Sequence, residues 1–534
     1  MMRVACLLLF LGLLPGLRSA EADPPAAVGR SAAPPVEELR IADERGDHGP
    51  PNPFRHYPRG SGFVRMSWIF DTLIWKDRDG PVPALAQFWN WNKAKTACTF
   101  ELHPEARWHD GCPLTADDVA FSIDYYRRHP YVWADVSVVR RVEVRDARRV
   151  TLHLAHPYAP FLAEIGGSLP ILPRHIWEGV DDPLAFAVPE AFVGSGPYRF
   201  RDFDEVRGSY LFEAFADYYQ GSPRVKRLIY LRSTNPLISL ANGQADLAAI
   251  RPEMAEPLRR KGLTVIEERG GWVRKLMINH DKFPCSDRRF RQALAYAVDL
   301  GGLIAKSQRG FAVPASPGLL APGHPFYNPS TPVYAHDPGR ARALLAELGY
   351  RSDTAGVLRR EGRALRLELI SSSIAVAGGS GGDRDGLILK EQLEAIGIQV
   401  ELRVLEQAAA DQRLARGAFD LALSGQGGIG GDPKILNEMI LPGPGGAFNS
   451  ARFGKNPELV ALLDEQLQAV DEDKRRALVF RIQELLAEEL PTLPLYYPAN
   501  LSAYRPEKGI DWYYSKSGLG KGVPIPQNKQ ALLP

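Results

Sequence analysis

The stretch Ala106-Arg107-Trp108-His109-Asp110-Gly111-Cys112-Pro113-Leu114-Thr115-Ala116-Asp117-Asp118-Val119-Ala120-Phe121-Ser122 decides how this chain is read. Asp110-Gly111 marks a tight turn, and Cys112 follows it. Thr115 stands where a helix can begin, with Asp118 three residues later as a weaker form of the capping box. Val119, Ile123 and Tyr126 then share one helical face. Upstream, Cys98-Thr99-Phe100-Glu101-Leu102 is an extended run. Downstream, Val142 and Val144 alternate with charged residues, as do Val150, Leu152 and Leu154. Arg145-Asp146-Ala147-Arg148 can turn between these two runs, which predicts a hairpin.

Beyond this region short extended runs alternate with helical ones, the pattern of α/β lobes. Thr234 before Asn235-Pro236 marks a helix start, with Leu237, Leu240 and Ala241 inward and Gly243 as the stop. A second large unit opens near Trp272. It holds a helix over 288–298 with Phe290, Leu294 and Ala297 as its apolar stripe, and another over 335–348 closed by Gly349. Leu365, Leu367 and Leu369 alternate as a strand, and the run 387–396 is helical before a strand over 400–404. Late helices are expected over 458–470 and 474–490, followed by a short extended path over 491–497. No internal repeat or long low-complexity linker divides the chain, which favours lobes joined by crossing strands.

The chain opens with Arg3 ahead of an apolar run from Val4 to Leu17, then Ala20-Glu21-Ala22. This is the pattern of a secretory signal over 1–22, and the run is short for a bilayer span. Cys6 lies inside the apolar run, before any cleavage site, and is a poor lipid-attachment residue. A soluble protein of a Gram-negative periplasm is expected, with the Ala- and Pro-rich run 22–35 unstructured. At 534 residues and 45% hydrophobic the chain can bury large cores in two or three domains. A net charge of +2 gives no basic footprint for nucleic acid. Cleavage leaves Cys98, Cys112 and Cys285; a return of the chain could bridge Cys98 to Cys112 in an oxidising compartment, or leave them apart. Cys285 would then be a small buried hydrophobe.

The segment from Trp108 to Ser122 resembles the signature of the periplasmic solute-binding proteins of family 5, which feed peptide and nickel ABC importers. Further pieces match in order: Ser195-Gly196-Pro197-Tyr198-Arg199, Leu240-Ala241-Asn242-Gly243-Gln244-Ala245-Asp246-Leu247, and the run 279–299 around Phe290-Arg291-Gln292-Ala293-Leu294. Leu169-Pro170-Ile171-Leu172-Pro173-Arg174-His175 is similar to a connection of the peptide-binding branch. The resemblance implies an α/β, two-lobed periplasmic binding protein (type II, cluster C) with an extra α/β subdomain inserted in the first lobe. It places lobe I over 36–72, 176–272 and 488–534, the insert over 73–175 and lobe II over 273–487. It also implies a monomer that closes over a small polar solute and docks on an inner-membrane permease driven by cytoplasmic ATPases. Ligand shifts such an equilibrium because two half-sites gain contacts only together.

The same resemblance points to ligand residues. Ser424-Gly425-Gln426-Gly427-Gly428-Ile429-Gly430-Gly431-Asp432-Pro433 is expected as a glycine-rich loop after the strand-like run 419–423, exposing backbone donors and letting a ligand approach, with Gln426 and Gly427 as contacts. In peptide binders an acid near this Asp-Pro receives the ligand's amino terminus, and Asp432 is the matching residue. A structural cap by Asp432 ahead of Pro433 is the other reading. The chain has Gly and Gln where an aromatic and a second acid often stand. Arg274 could clamp a carboxylate, with Trp272 and Trp68 as apolar walls and Trp133 as a weaker choice; an exposed arginine and core tryptophans are the plainer alternative.

His153 and His156 lack further ligands for a metal cage, and His103 and His109 flank Trp108 in the signature region, so no metal or cofactor is expected. The run Gly378-Gly379-Ser380-Gly381-Gly382-Asp383-Arg384-Asp385 lacks the Gly-Lys-Ser/Thr ending of a phosphate loop. No nucleophile–base pair stands out. The chain is therefore read as a carrier of a short peptide or peptide-like solute. A nickel chelate, opine, saccharide or other polar metabolite is the alternative cargo; an exported hydrolase with a divided site and a sensory receptor are the alternatives of other classes.

Overall fold

The computed structural model describes residues 34–44, 46–372, 382–442 and 449–534. The signal expected over 1–22 and the part of the glycine-rich run over 378–381 lie outside the described residues.

A large mixed sheet organises the chain. One half holds the strands Val36–Asp43, Val225–Arg232 and Leu247–Ile250, all parallel, extended outward by Ser209–Ala214 and Tyr198–Asp204. The other half holds Arg366–Ser372, Gln399–Leu405 and Leu421–Gly427, also parallel, next to the antiparallel strand Trp272–Ile278. One strand, Thr492–Tyr504, joins them. Its first part pairs with Trp272–Ile278, from Thr492 opposite Met277 to Tyr496 opposite Arg274. Its second part pairs with Thr264–Arg269 and Leu247–Ile250. The chain thus crosses between halves twice, at Gly270-Gly271 and around Tyr497-Pro498. Every residue of Thr492–Tyr504 is buried, as a central strand covered on both faces requires.

A separate four-stranded antiparallel sheet runs Ala86–Trp91, Ala97–Leu102, Arg149–Leu154, Val139–Val144. The last two are the expected hairpin. The helix Ala116–Arg128 packs on it through buried Val119, Ile123 and Tyr126, and the Thr115 N–H donates to the Asp118 carboxylate at 2.8 Å. One continuous core, with Trp68, Trp75, Trp108 and Trp177 wholly buried, unites this small sheet with the first half of the large one. Distinct cores, one around Leu294 and Leu393 and one around Leu436 and Ile482, serve the second half. Two α/β lobes of the type II periplasmic-binding architecture result.

The structure corrects several expectations. The helix expected over 335–348 is Pro338–Glu347, because Pro338 keeps Asp337 out of the helical region and Asp337 caps the first turn by accepting from the Arg340 N–H at 2.8 Å. Asn235, not Thr234, caps the helix Pro236–Ala241. The extended path expected over 491–497 is a strand of 13 residues. The helix expected over 387–396 is Gly382–Ala395. Of the two alternatives for Cys98 and Cys112, the structure shows them apart, Cys98 buried in the small sheet and Cys112 exposed on its turn, and Cys285 is free and buried as expected.

Candidate functional site

The parallel strands Arg366–Ser372, Gln399–Leu405 and Leu421–Gly427 end at one edge of the sheet, and Trp272–Ile278, running the opposite way, begins there. Ligands of open α/β sheets bind outside the carboxyl ends of strands. That edge therefore gathers Trp272 and Gly427. The glycine-rich run is half strand rather than all loop: Ser424 to Gly427 pair with Lys275 to Trp272, and the turn begins only at Gly428, whose φ is +91°.

The glycines are explained by Trp272. Its indole covers the strand, so that a Cβ at Gly425 would stand 2.7 Å from the ring and one at Gly427 2.8 Å. On the same face Arg274 is 4% exposed, its Nε donating to the Asp385 carboxylate at 3.0 Å, while the Tyr496 hydroxyl donates to the same oxygen at 2.7 Å. Trp272 Nε1, Arg274 Nη2, Asp385 Oδ1 and, on the opposite face, Gln426 Oε1 are buried atoms with no hydrogen-bond partner among the described residues. Buried polar groups are normally paired, so four such atoms around one strand end call for an explanation.

Asp432 lies on the turn beyond this edge. Arg475 meets its carboxylate with both terminal nitrogens, at 2.5 and 2.8 Å, and the Lys434 N–H donates to it at 2.8 Å just ahead of the helix Ile435–Ile440. Asp432 thus carries its own cation and makes a local turn contact. Facing it from the other core is Lys76, whose Nζ donates, among the described residues, to the Gly520 and Ser517 carbonyls at 3.3 and 3.5 Å. Burial pushes the Lys76 pKa down to about 8, opposed by the charge of Asp432.

Ionic contacts cross the seam between the cores. Lys434 binds Glu164, and Lys521 lies 2.9 Å from Glu438 and 3.7 Å from Glu164. Burial acts to lower the Lys434 pKa, but Glu164 and Glu438 hold it above its usual value. Arg59 pairs with Asp411 at 2.8 Å, again joining the two halves. None of Lys76, Glu164, Lys434, Glu438, Lys521 or Arg475 was singled out from the sequence. Only the spacing of Lys434 and Glu438, one helical turn apart just after Asp432-Pro433, offered a signal.

Trp68 is a correction: it is wholly buried, donates from Nε1 to the Tyr230 hydroxyl at 2.9 Å and meets Tyr198 edge-on, so it walls the core and not a cleft. Trp133 packs on Phe63 within the same core, its ring centroid 4.8 Å away. His153 lies against Glu143 at 2.8 Å, and His156 turns to the Pro157 carbonyl, so the two do not converge.

Comparison with known proteins gives the family. The family model described as bacterial extracellular solute-binding proteins, family 5, matches residues 80–447. The chain belongs to this family. A di/tripeptide-binding protein of Pseudomonas aeruginosa is 28% identical over 474 residues, which is 81% of this chain and 84% of that one. The nickel-binding periplasmic protein of Escherichia coli is 24% identical over 86% of this chain and 89% of its own. In fold, the chain resembles NikA from Brucella suis in complex with Fe(III)-EDTA, with a TM-score of 0.78 and 22% identity over 92% of this chain and 99% of that one. As a family 5 solute-binding protein it is a periplasmic component of an ABC importer, works with a membrane permease and its ATPases, and is not an enzyme.

Proposed function

We propose that this family 5 protein carries a short peptide or peptide-like solute at the sheet edge of Trp272 and Gly427, between lobes spanning 36–72 with 176–272 and 488–534 on one side and 273–487 on the other. The 73–175 insert belongs with the first. The observation that carries this reading is the pair of buried donors on one face of the strand, Trp272 Nε1 and Arg274 Nη2, without a partner among the described residues, which ligand oxygens would satisfy. Gly427 lets the Trp272 indole lie flat on the strand, where the ring forms an apolar wall for the ligand. Arg274 Nη2 takes the ligand carboxylate, and Asp432 takes the ammonium by sharing its carboxylate with Arg475. The di/tripeptide-binding relatives support the same cargo class. Native mass spectrometry of protein purified without denaturation tests it: a bound mass that fragments as a peptide is expected, and a cargo without amide bonds would sink the peptide assignment.

One observation favours an acidic cargo such as a chelate or opine. Lys76 faces the seam with carbonyls as its hydrogen-bond partners among the described residues, while Asp432 is already matched by Arg475. The same spectrum distinguishes the two readings.

A further inference from the structure

Asp110, Cys112 and His175 bring a carboxylate, a thiol and an imidazole together on the surface, with their donor atoms all within 4.8 Å of one another. None of the three takes part in the seam. Asp110 and Cys112 flank Gly111, and His175 stands on the short helix Arg174–Trp177. Both supports are held in place. Trp108 is wholly buried, its N–H donates to the Cys112 carbonyl at 2.9 Å, and the Gly111 N–H returns to the Trp108 carbonyl at 2.9 Å. Gly111 adopts φ +93°, a turn that glycine enters freely. The Cys112 N–H fixes Asp110 Oδ1 at 3.0 Å, leaving Oδ2 beside His175 Nε2 at 2.7 Å. The Arg174 N–H donates to Asp118 Oδ1 at 3.0 Å, tying the start of the second support to the helix that follows the turn.

We propose that this trio binds a divalent transition cation of the zinc class, independently of the transported solute. Thiolate, imidazole and carboxylate are the donors that zinc takes, at roughly 2.0–2.3 Å, so donors on a tetrahedral ion lie about 3.5 Å apart. The side chains are exposed and reach that spacing by small rotations on anchored backbone. Three protein donors leave the fourth position to water. The thiolate selects against calcium and magnesium, which prefer all-oxygen sites. On binding, the Cys112 thiol releases its proton to solvent, and the hydrogen bond between His175 Nε2 and Asp110 Oδ2 gives way as the neutral imidazole moves its single proton to Nδ1, so that Nε2 and Oδ2 both turn to the ion. One proton leaves per ion, so affinity rises with pH. Cys98 and Cys285 are buried, which makes Cys112 the accessible thiol among the described residues.

The test uses the reduced, chelator-stripped full chain and titrates it with cobalt(II) as the probe. One equivalent is expected to produce a thiolate-to-cobalt absorption in the near ultraviolet together with the visible bands of a tetrahedral site, all bleached by one equivalent of zinc. Cys112→Ser should abolish the near-ultraviolet band, and His175→Gln should weaken cobalt binding by about tenfold or more. Both variants should unfold at the temperature of the parent, since the side chains are exposed. Absence of the band at one equivalent, or its survival in Cys112→Ser, would overturn the assignment, as would equal competition by magnesium.

Discussion

The indole of Trp272 lies over Gly427, its paired residue on the neighbouring strand, so closely that a Gly427 Cβ would stand 2.8 Å from ring atom Cε3. An aromatic covering a strand glycine holds the strand pair where no side chain can pack. Gly427→Ala must displace the ring, at a cost of about 1–3 kcal/mol typical of overpacking. A lower unfolding midpoint, an altered tryptophan emission and loss of the solute-induced thermal shift are expected. Gly454, with nothing within 4 Å of its would-be Cβ, is the control that should tolerate alanine. Equal behaviour of the two variants would show that the ring does not depend on the glycine.

The helix after Thr115 and the hairpin around Asp146 were legible because each is specified by local periodicity and turn chemistry. The glycine-rich run was misread at its start for a physical reason. Glycine signals a loop on its own, and only the tryptophan on a strand about 150 residues away turns Gly425 and Gly427 into strand positions. The seam ion pairs escaped for a similar reason. Lys521 and Glu438 meet between two distinct cores, and no short sequence window contains both. Trp68 stayed open between core and cleft because a tryptophan looks the same in sequence whichever it faces, and the structure places it in the core.

Asp432 and Arg475 form a paired-tooth contact that the proposed ammonium must share. With exposures of 19% and 8% the pair is largely withdrawn from water. Asp432→Asn leaves the guanidinium less compensated and should cost about 2–3 kcal/mol, at the lower edge of buried-pair losses because some water reaches it. If Asp432 receives the ligand amine, the variant should also lose its preference for free-amine peptides over N-acetylated ones. Calorimetric titration with the two peptide forms measures this. An unchanged preference would assign Asp432 to the fold alone.

Asp71 and Lys529 form an ion pair with no accessible surface on either side chain. Tyr218 and Tyr219 donate to the same carboxylate at 3.0 and 2.8 Å, and the ammonium sits 4.1 Å from the centre of the Trp75 ring. Burial drives the Lys529 pKa down, and Asp71 opposes that shift. The pair fastens the C-terminal segment to the first core across most of the chain length. Asp71→Asn strands a buried cation and should destabilise by about 3–5 kcal/mol. Removing residues 529–534 should likewise expose Trp75 to quenchers. A loss below about 1 kcal/mol in urea unfolding would mean that the two tyrosines and backbone packing hold the segment without the charge pair.

Lys275 provides the pH test. It is wholly buried, donates to the Asn449 carbonyl at 2.7 Å, and has no carboxylate partner among the described residues. Burial alone pushes its pKa down to about 7. The unfolded chain holds that proton up to a pKa of about 10.4, so between pH 7 and 10 the unfolded state binds more protons than the native state and stability rises with pH. Below pH 7 both states are protonated and the native state bears the full cost of a buried cation. Lys275→Met removes that cost and should be more stable than the parent at pH 6, by on the order of 2–4 kcal/mol less whatever the freed Asn449 carbonyl forfeits. The gap should close as pH approaches 10. Urea unfolding of both proteins at intervals from pH 6 to 10 measures the difference, in which titrations common to both cancel. A gap independent of pH would mean that Lys275 keeps a normal pKa and that its surroundings are wetter than the packing indicates.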